Sequence, residues 1–151
     1  MRFRFPVLAL LIFIALVFSK CKSPVSDLHP TNLRCEYLDD PIAIDETAPR
    51  LSWELQANGR NRAQTAYQVL VASTAELLAK DLGDLWNSGK VTSDETVNLS
   101  YRGGELTSRV SCFWKVKVWD QNNISSDWSP VAQWSMGLLN SNDWQAKWIG
   151  Y

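Results

Sequence analysis

Between residues 32 and 136, apolar and polar side chains alternate with a period of two, in short runs closed by turn-forming residues. That period sends successive side chains to opposite faces of a strand, so each run can bury one face and wet the other. In residues 112–120, Cys112, Trp114, Val116 and Val118 share the inward face, while Phe113, Lys115, Lys117 and Trp119 point the other way. Residues 50–55 repeat the pattern with Leu51, Trp53 and Leu55 inward. Residues 64–73 put Tyr67, Val69 and Val71 on the core face; the opposite face, with Leu70 and Gln68, reads as half covered. Shorter runs are 32–38 (Leu33, Cys35 and Tyr37 inward), 84–88 around Trp86, 95–101, and 130–136 (Ala132, Trp134 and Met136 inward). Only residues 74–82 change period. Ala75, Leu77, Leu78 and Leu82 suit a short helix, capped by Ser73 or Thr74, with Glu76 in its first turn and Gly83 at its end. About seven strands with one short helix predict an all-β fold, an antiparallel two-sheet sandwich.

The chain has 151 residues, too few for a catalytic barrel of ~250. A formal net charge of -1 provides no electrostatic footprint for nucleic acid. Residues 7–18 are an unbroken apolar run behind Arg2 and Arg4. The run is too short for a membrane span of ~20 residues and reads as the core of a signal peptide over residues 1–20. Cys21 closes the segment and resembles the acylated cysteine of a bacterial lipoprotein, although Lys20 departs from the small residue usual there. Ordinary secretion and a retained anchor are the alternatives, and all three place the domain outside the cytoplasm. Without residues 1–20, Lys plus Arg falls from 15 to 12 against 16 acidic residues, so a negative membrane surface offers no attraction. Residues 21–30 read as a tether, residues 31–137 as the sandwich, and residues 138–151 as a linker opening into a following domain.

The order of motifs resembles a fibronectin type III or immunoglobulin-like sandwich, through Leu51-Ser52-Trp53, Trp114-Lys115-Val116-Lys117-Val118 and Ser125-Ser126-Asp127-Trp128-Ser129. More specifically, it resembles the N-terminal module of bacterial α-L-rhamnosidases of the inverting glycoside hydrolase type. The residues that carry this include Asn32-Leu33-Arg34-Cys35-Glu36-Tyr37, Leu85-Trp86-Asn87-Ser88-Gly89 and Asp143-Trp144-Gln145-Ala146-Lys147-Trp148. The resemblance covers roughly residues 29–150. It implies a module preceding further sandwiches and a helical barrel, with the general acid and the water-activating carboxylate both in that barrel. None of those catalytic residues has a matching position here, so none is carried over. The fold usually has Tyr where Cys112 stands, which implies a less firmly tied sheet corner. The implied partners are downstream domains of the same enzyme, with glycan as a further candidate.

Candidate chemistry within the chain is sparse. Asp39-Asp40, Asp45-Glu46 and Asp94-Glu95 are sequence neighbours beside turns or strand ends, and read as solvated loop acids or local caps. His29 is the sole histidine and falls in the expected tether. Cys35 and Cys112 sit at inward strand positions and are expected as buried free thiols, with a disulfide as the alternative. No metal or cofactor is implied. On the outer sheet face, Lys115 and Lys117 are expected to alternate with Trp119 and Trp128 as a cation–aromatic ladder, rather than leaving bare rings for a sugar. Trp144 and Trp148 are expected to be exposed or loosely folded back.

Overall fold

The computed structural model describes residues 24–147 and residue 149. In chain order the elements are β1 (Leu28–Cys35), β2 (Arg50–Ala57), β3 (Gln64–Ala72), α1 (Ala75–Ala79), β4 (Trp86–Asn87), β5 (Val91–Thr92), β6 (Leu99–Ser100), β7 (Ser111–Asp120) and β8 (Ala132–Ser135). One sheet runs β1-β2-β6; the other runs β4-β3-β7-β8, with β5 also paired to β3. All of these pairings are antiparallel. The result is the expected two-sheet, immunoglobulin-like sandwich. Among the described residues it has eight strands rather than about seven, because the chain re-enters the sheet at Val91 after the turn at Gly89.

The period-two faces pack where the pattern puts them. Trp53, Val69, Val71, Cys112, Trp114, Val116, Val118 and Trp134 are all at most 2% exposed and form one core between the sheets. Trp53 meets the Tyr67 ring edge-on, with centroids 5.4 Å apart. Burial of each valine side chain in it is worth ~1.5–3 kcal/mol. The core also holds a polar pair: the Trp53 Nε1–H donates to Gln64 Oε1 (3.1 Å), and Gln64 Nε2 donates to the Ser93 and Glu95 carbonyls.

The first strand departs from its expected bounds. It starts at Leu28, so residues 28–30, expected in the tether, belong to the sheet. A bulge lies between Thr31 and Arg34, with Asn32 at φ 48°. The bulge resets the pleat, so Leu28 and Pro30 face inward on one phase, Leu33 and Cys35 on the other. A reading that follows one phase therefore starts only after the bulge. Tyr37 is 54% exposed, not inward. Glu36 and Tyr37 both have positive φ and close a tight hairpin onto Leu38. Left-handed backbone costs ~1–2 kcal/mol per ordinary residue. Arg50 holds the turn: its backbone N–H and guanidinium both donate to the Glu36 carboxylate, and its guanidinium lies 4.9 Å from the Tyr37 ring centroid. The order of the fold reaches back to Ser26, whose hydroxyl donates to the buried Asp120 (2.9 Å) and whose N–H donates to the Ser125 carbonyl.

The outer face of the five-stranded sheet is covered by α1. Leu70, Ala72 and Leu78 form a second small core, with Phe113 and Trp128 against it. Thr74 caps the helix, its Oγ1 accepting from the Leu77 N–H (3.3 Å). Asp81, at φ 57°, makes the left-handed reversal expected of Gly83. Gly83 answers a different need: a Cβ there would lie 2.3 Å from the Trp86 carbonyl oxygen.

Two predictions follow from this packing. Trp53→Ala should cost ~3–5 kcal/mol in urea unfolding, whereas a loss under ~1 kcal/mol would place the ring outside the core. Asp120 answers to pH. Burial pushes its carboxyl pKa up, but donors from Ile124, Ser26 and Asn122 outweigh this and hold it below the ordinary value of 3.8. Its stabilisation should be complete at neutral pH and fade as pH falls through the lowered value. Asp120→Ala should cost ~1–3 kcal/mol at pH 7 and flatten the acid limb of the unfolding midpoint against pH. An unaltered acid limb would show that the carboxylate contributes nothing.

Candidate functional site

β7 carries the expected ladder, and the structure divides its four residues unequally. The Lys115 and Lys117 ammonium groups lie 4.7 and 4.4 Å from the Trp128 ring centroid. Trp119 is taken by Lys90 instead, at 4.5 Å. Lys90 comes from the turn between β4 and β5, a partner that spacing along β7 could not reveal.

Lys115 is only 6% exposed. Its Nζ donates to the Leu78 carbonyl and pairs with Asp81, both at 2.5 Å. This puts a cation on a carbonyl at the C-terminal end of α1 that also accepts from the Asp81 N–H (2.9 Å). The hydrogen bond from Lys115 chiefly holds the Asp81 carboxyl below its ordinary range. The ladder thus ties α1 to the sheet, and the two ammonium groups occupy the Trp128 ring.

Trp128 is held by the serines around it. The Ser126 and Ser129 N–H groups donate to the Val118 and Val116 carbonyls, both at 2.8 Å. Their hydroxyls accept from the Val118 and Val116 N–H groups at 3.1 and 3.0 Å. The segment therefore completes the edge of β7 beyond the reach of β8, which pairs only with residues 111–114. Serine suits these places because its short hydroxyl stands in for a backbone carbonyl.

Three of the loop acids are engaged in holding the fold. Asp39 pairs with Arg34 at 3.3 Å. Asp40 accepts from the Gln133 N–H (2.8 Å) and Glu46 from the Ala48 N–H (3.0 Å). His29 lies on the exposed face of β1, not in a tether. Cys35 and Cys112 are buried free thiols, both pushed up to about 12 chiefly by burial, and so remain protonated near neutral pH. Cys112 carries no hydroxyl. A different residue ties the adjoining loop: the Tyr101 hydroxyl lies 3.1 and 2.9 Å from the Leu85 and Gly104 carbonyls. Among the described residues, no group of three or more His, Cys, Asp or Glu could hold a metal. Cys21 and Trp148 lie outside the described residues; Trp144 is 56% exposed.

The arrangement that the sequence reading missed is at the C-terminal end. Residues 138–143, expected as linker, run against the loop of residues 105–109 and end in a 3-10 turn, Ser141–Asp143. The Leu139 N–H donates to Ser108 Oγ (2.8 Å), and that hydroxyl donates to the Asp143 carboxylate. The Arg109 guanidinium donates to the Asp143 carbonyl (2.9 Å), and the Arg109 N–H to the Gly137 carbonyl (3.0 Å). Asp143 also accepts from the Asn140 N–H (3.1 Å). The signal available was Asn140 three residues before Asp143, a capping spacing in an otherwise polar run. Chemically this is a clamp that fixes the path of the chain as it leaves the sandwich.

Comparison with known proteins gives a consistent picture. Residues 30–140 match the family described as "Rha78A-like, N-terminal immunoglobulin domain". An α-L-rhamnosidase of Streptomyces avermitilis is 42% identical over 125 residues, 83% of this chain and 12% of that protein. An α-L-rhamnosidase of Alteromonas sp. (strain LOR) is 40% identical over 144 residues, 94% of this chain and 16% of its own length. The structure of α-L-rhamnosidase from Dictyoglumus thermophilum superposes with a TM-score of 0.78 at 40% identity, over 85% of this chain and 14% of that one. The chain thus spans only 12–16% of the relatives it matches. With the match running from within β1 through β8, this chain belongs to the family of Rha78A-like N-terminal immunoglobulin domains.

Proposed function

We propose that this chain is the non-catalytic, bracing N-terminal module of an extracytoplasmic α-L-rhamnosidase. The observation that carries the reading is the family match together with its extent. The relatives bear the name α-L-rhamnosidase, and this module is 12–16% of their length. The internal chemistry supports the same division of labour. Inverting hydrolysis of a terminal rhamnose needs two carboxyl groups ~6.5–9.5 Å apart across one sugar. Here Asp81, Asp120 and Asp143 are each committed to bonds that hold the fold. The clamp of Ser108, Arg109 and Asp143 gives the chain a set exit direction, as a brace for following domains requires. Residues 7–18 and Cys21 support secretion with a lipid anchor. Five peptide steps separate Cys21 from the stapled Ser26. At ~3.3–3.6 Å per residue they reach no further than ~18 Å, so an anchored module stands close to its membrane.

Incubated with an aryl α-L-rhamnoside, the purified chain should release no rhamnose; turnover above a blank would overturn the non-catalytic reading. Cys21→Ser should move the protein from the membrane to the soluble fraction in a cell-envelope preparation. Equal partitioning of both forms would remove the lipid anchor.

A further inference from the structure

The sandwich is open along one side. β6 ends the three-stranded sheet there, β4 and β5 flank the five-stranded sheet, and no strand among the described residues bridges them. A cleft of about 510 Å³ lies in this gap, with Tyr67, Trp86, Glu95, Asn98 and Arg102 in its lining. Its volume is in the range of small-molecule sites, ~300–1,000 Å³.

Its chemistry is mixed in a particular way. Two aromatic residues contribute apolar surface: Tyr67, 9% exposed, and Trp86, half-buried and edge-on to Tyr101 at 5.5 Å. Around them stand a carboxylate, a guanidinium and an amide. Among the described residues, no hydrogen bond or ion pair engages the Glu95 carboxylate, the Arg102 guanidinium or the Tyr67 hydroxyl. Both charges nevertheless act on the Tyr67 phenol, whose pKa is raised by burial and by Glu95 and lowered by Arg102. The Asn98 carbonyl accepts from the Tyr37 hydroxyl (2.7 Å), leaving its NH₂ to donate.

The walls are built rather than loose. Next to Arg102, the Tyr101 hydroxyl reaches the Leu85 and Gly104 carbonyls, and the Gly104 N–H donates to Leu85 (3.0 Å). The loop passes so close that a Cβ on Gly103 would lie 2.3 Å from both the Leu85 carbonyl oxygen and the Tyr101 hydroxyl. On the other wall, Gln64 Nε2 holds the Ser93 and Glu95 carbonyls. A site whose polar groups are already placed loses less entropy when a ligand enters.

We propose that this cleft is a binding site for a neutral pyranose sugar. The C–H face of the ring would lie on Tyr67 and Trp86. Neighbouring hydroxyls would donate to Glu95 and accept from Arg102 and the Asn98 amide. Opposite charges suit a neutral polyol, since an anion meets Glu95 and a cation meets Arg102. The inference goes beyond the bracing role and does not depend on the identity of the following domains.

The test is an NMR titration of the full chain, held in solution by a detergent without a sugar headgroup. The probes are the methyl glycosides of α-L-rhamnose, α-D-glucose and β-D-galactose. At least one should give saturable shifts at the Trp86 indole N–H and the Arg102 Nε–H, with Kd of about 1–10 mM. Glu95→Gln and Arg102→Met should each weaken binding about tenfold without lowering the melting temperature, because both side chains are exposed and unengaged. Trp128→Phe, on the outer sheet face, should leave affinity unchanged. The proposal is overturned by the absence of saturable shifts up to about 100 mM of every sugar. Shifts confined to Trp119 and Trp128, or undiminished affinity in both cleft variants, would overturn it too. So would concentration-dependent broadening of the cleft resonances without sugar, which would assign the cleft to a second copy of the chain.

Discussion

β7 carries the rest of the molecule, through the burial of one face of its ten residues between two sheets. Its inward face, Cys112, Trp114, Val116 and Val118, is fully buried and touches the core from end to end. Its backbone pairs with β3 on one side and with β8 and the serine segment on the other. Its outward face supplies Lys115, which holds α1, and Lys117, which covers Trp128. The magnitudes show why apolar burial dominates. A buried tryptophan removes ~150–250 Å² from water, worth ~4–6 kcal/mol. The indole N–H groups of Trp114 and Trp134 find no acceptor among the described residues, a cost of ~1–3 kcal/mol each. Bulk outweighs the unpaired donor, so large aromatic rings can fill a sandwich this small.

Around that core, buried polar groups specify how the loops attach. Gln64 links Trp53 to the strand-free segment at residues 93–95. Asp120 gathers Ser26, Asn122 and Ile124 at the end of β7. Tyr101 closes the loop before β7 through the Leu85 and Gly104 carbonyls. These contacts add little net energy singly, yet each would leave stranded donors or acceptors if broken, which makes loop geometry definite. The clamp at Ser108, Arg109 and Asp143 applies the same device at the chain's exit. For the bracing role proposed above, a definite exit matters because it sets the direction in which a following domain is carried.

Much of this was legible from alternation alone. The inward sets on β2, β3, β7 and β8, the short helix with its cap at Ser73 or Thr74 and the two-sheet class all rest on local periodicity and capping chemistry, which neighbouring residues express without help from the fold. β1 was misplaced because a bulge changes its phase midway, and a bulge depends on the partner strand β2. Alternation past Cys35 points Tyr37 inward, but Arg50, fourteen residues from Glu36, bends the chain away. The ladder was legible as residue types but not as pairs: Lys90 and Asp81 reach it from loops that only the fold brings near.

By itself the sequence determined the class of fold, the composition of its core and the family, because period-two burial and ordered motifs are properties of the chain. The tertiary structure alone decided which polar groups meet: Lys115 with α1, Tyr101 with Leu85, Ser108 with Asp143, and the open cleft at β4, β5 and β6. The physical reason is range. Hydrophobic alternation acts between neighbours along a strand and is non-directional, whereas a hydrogen bond or a cleft needs atoms from distant segments placed within a few ångströms.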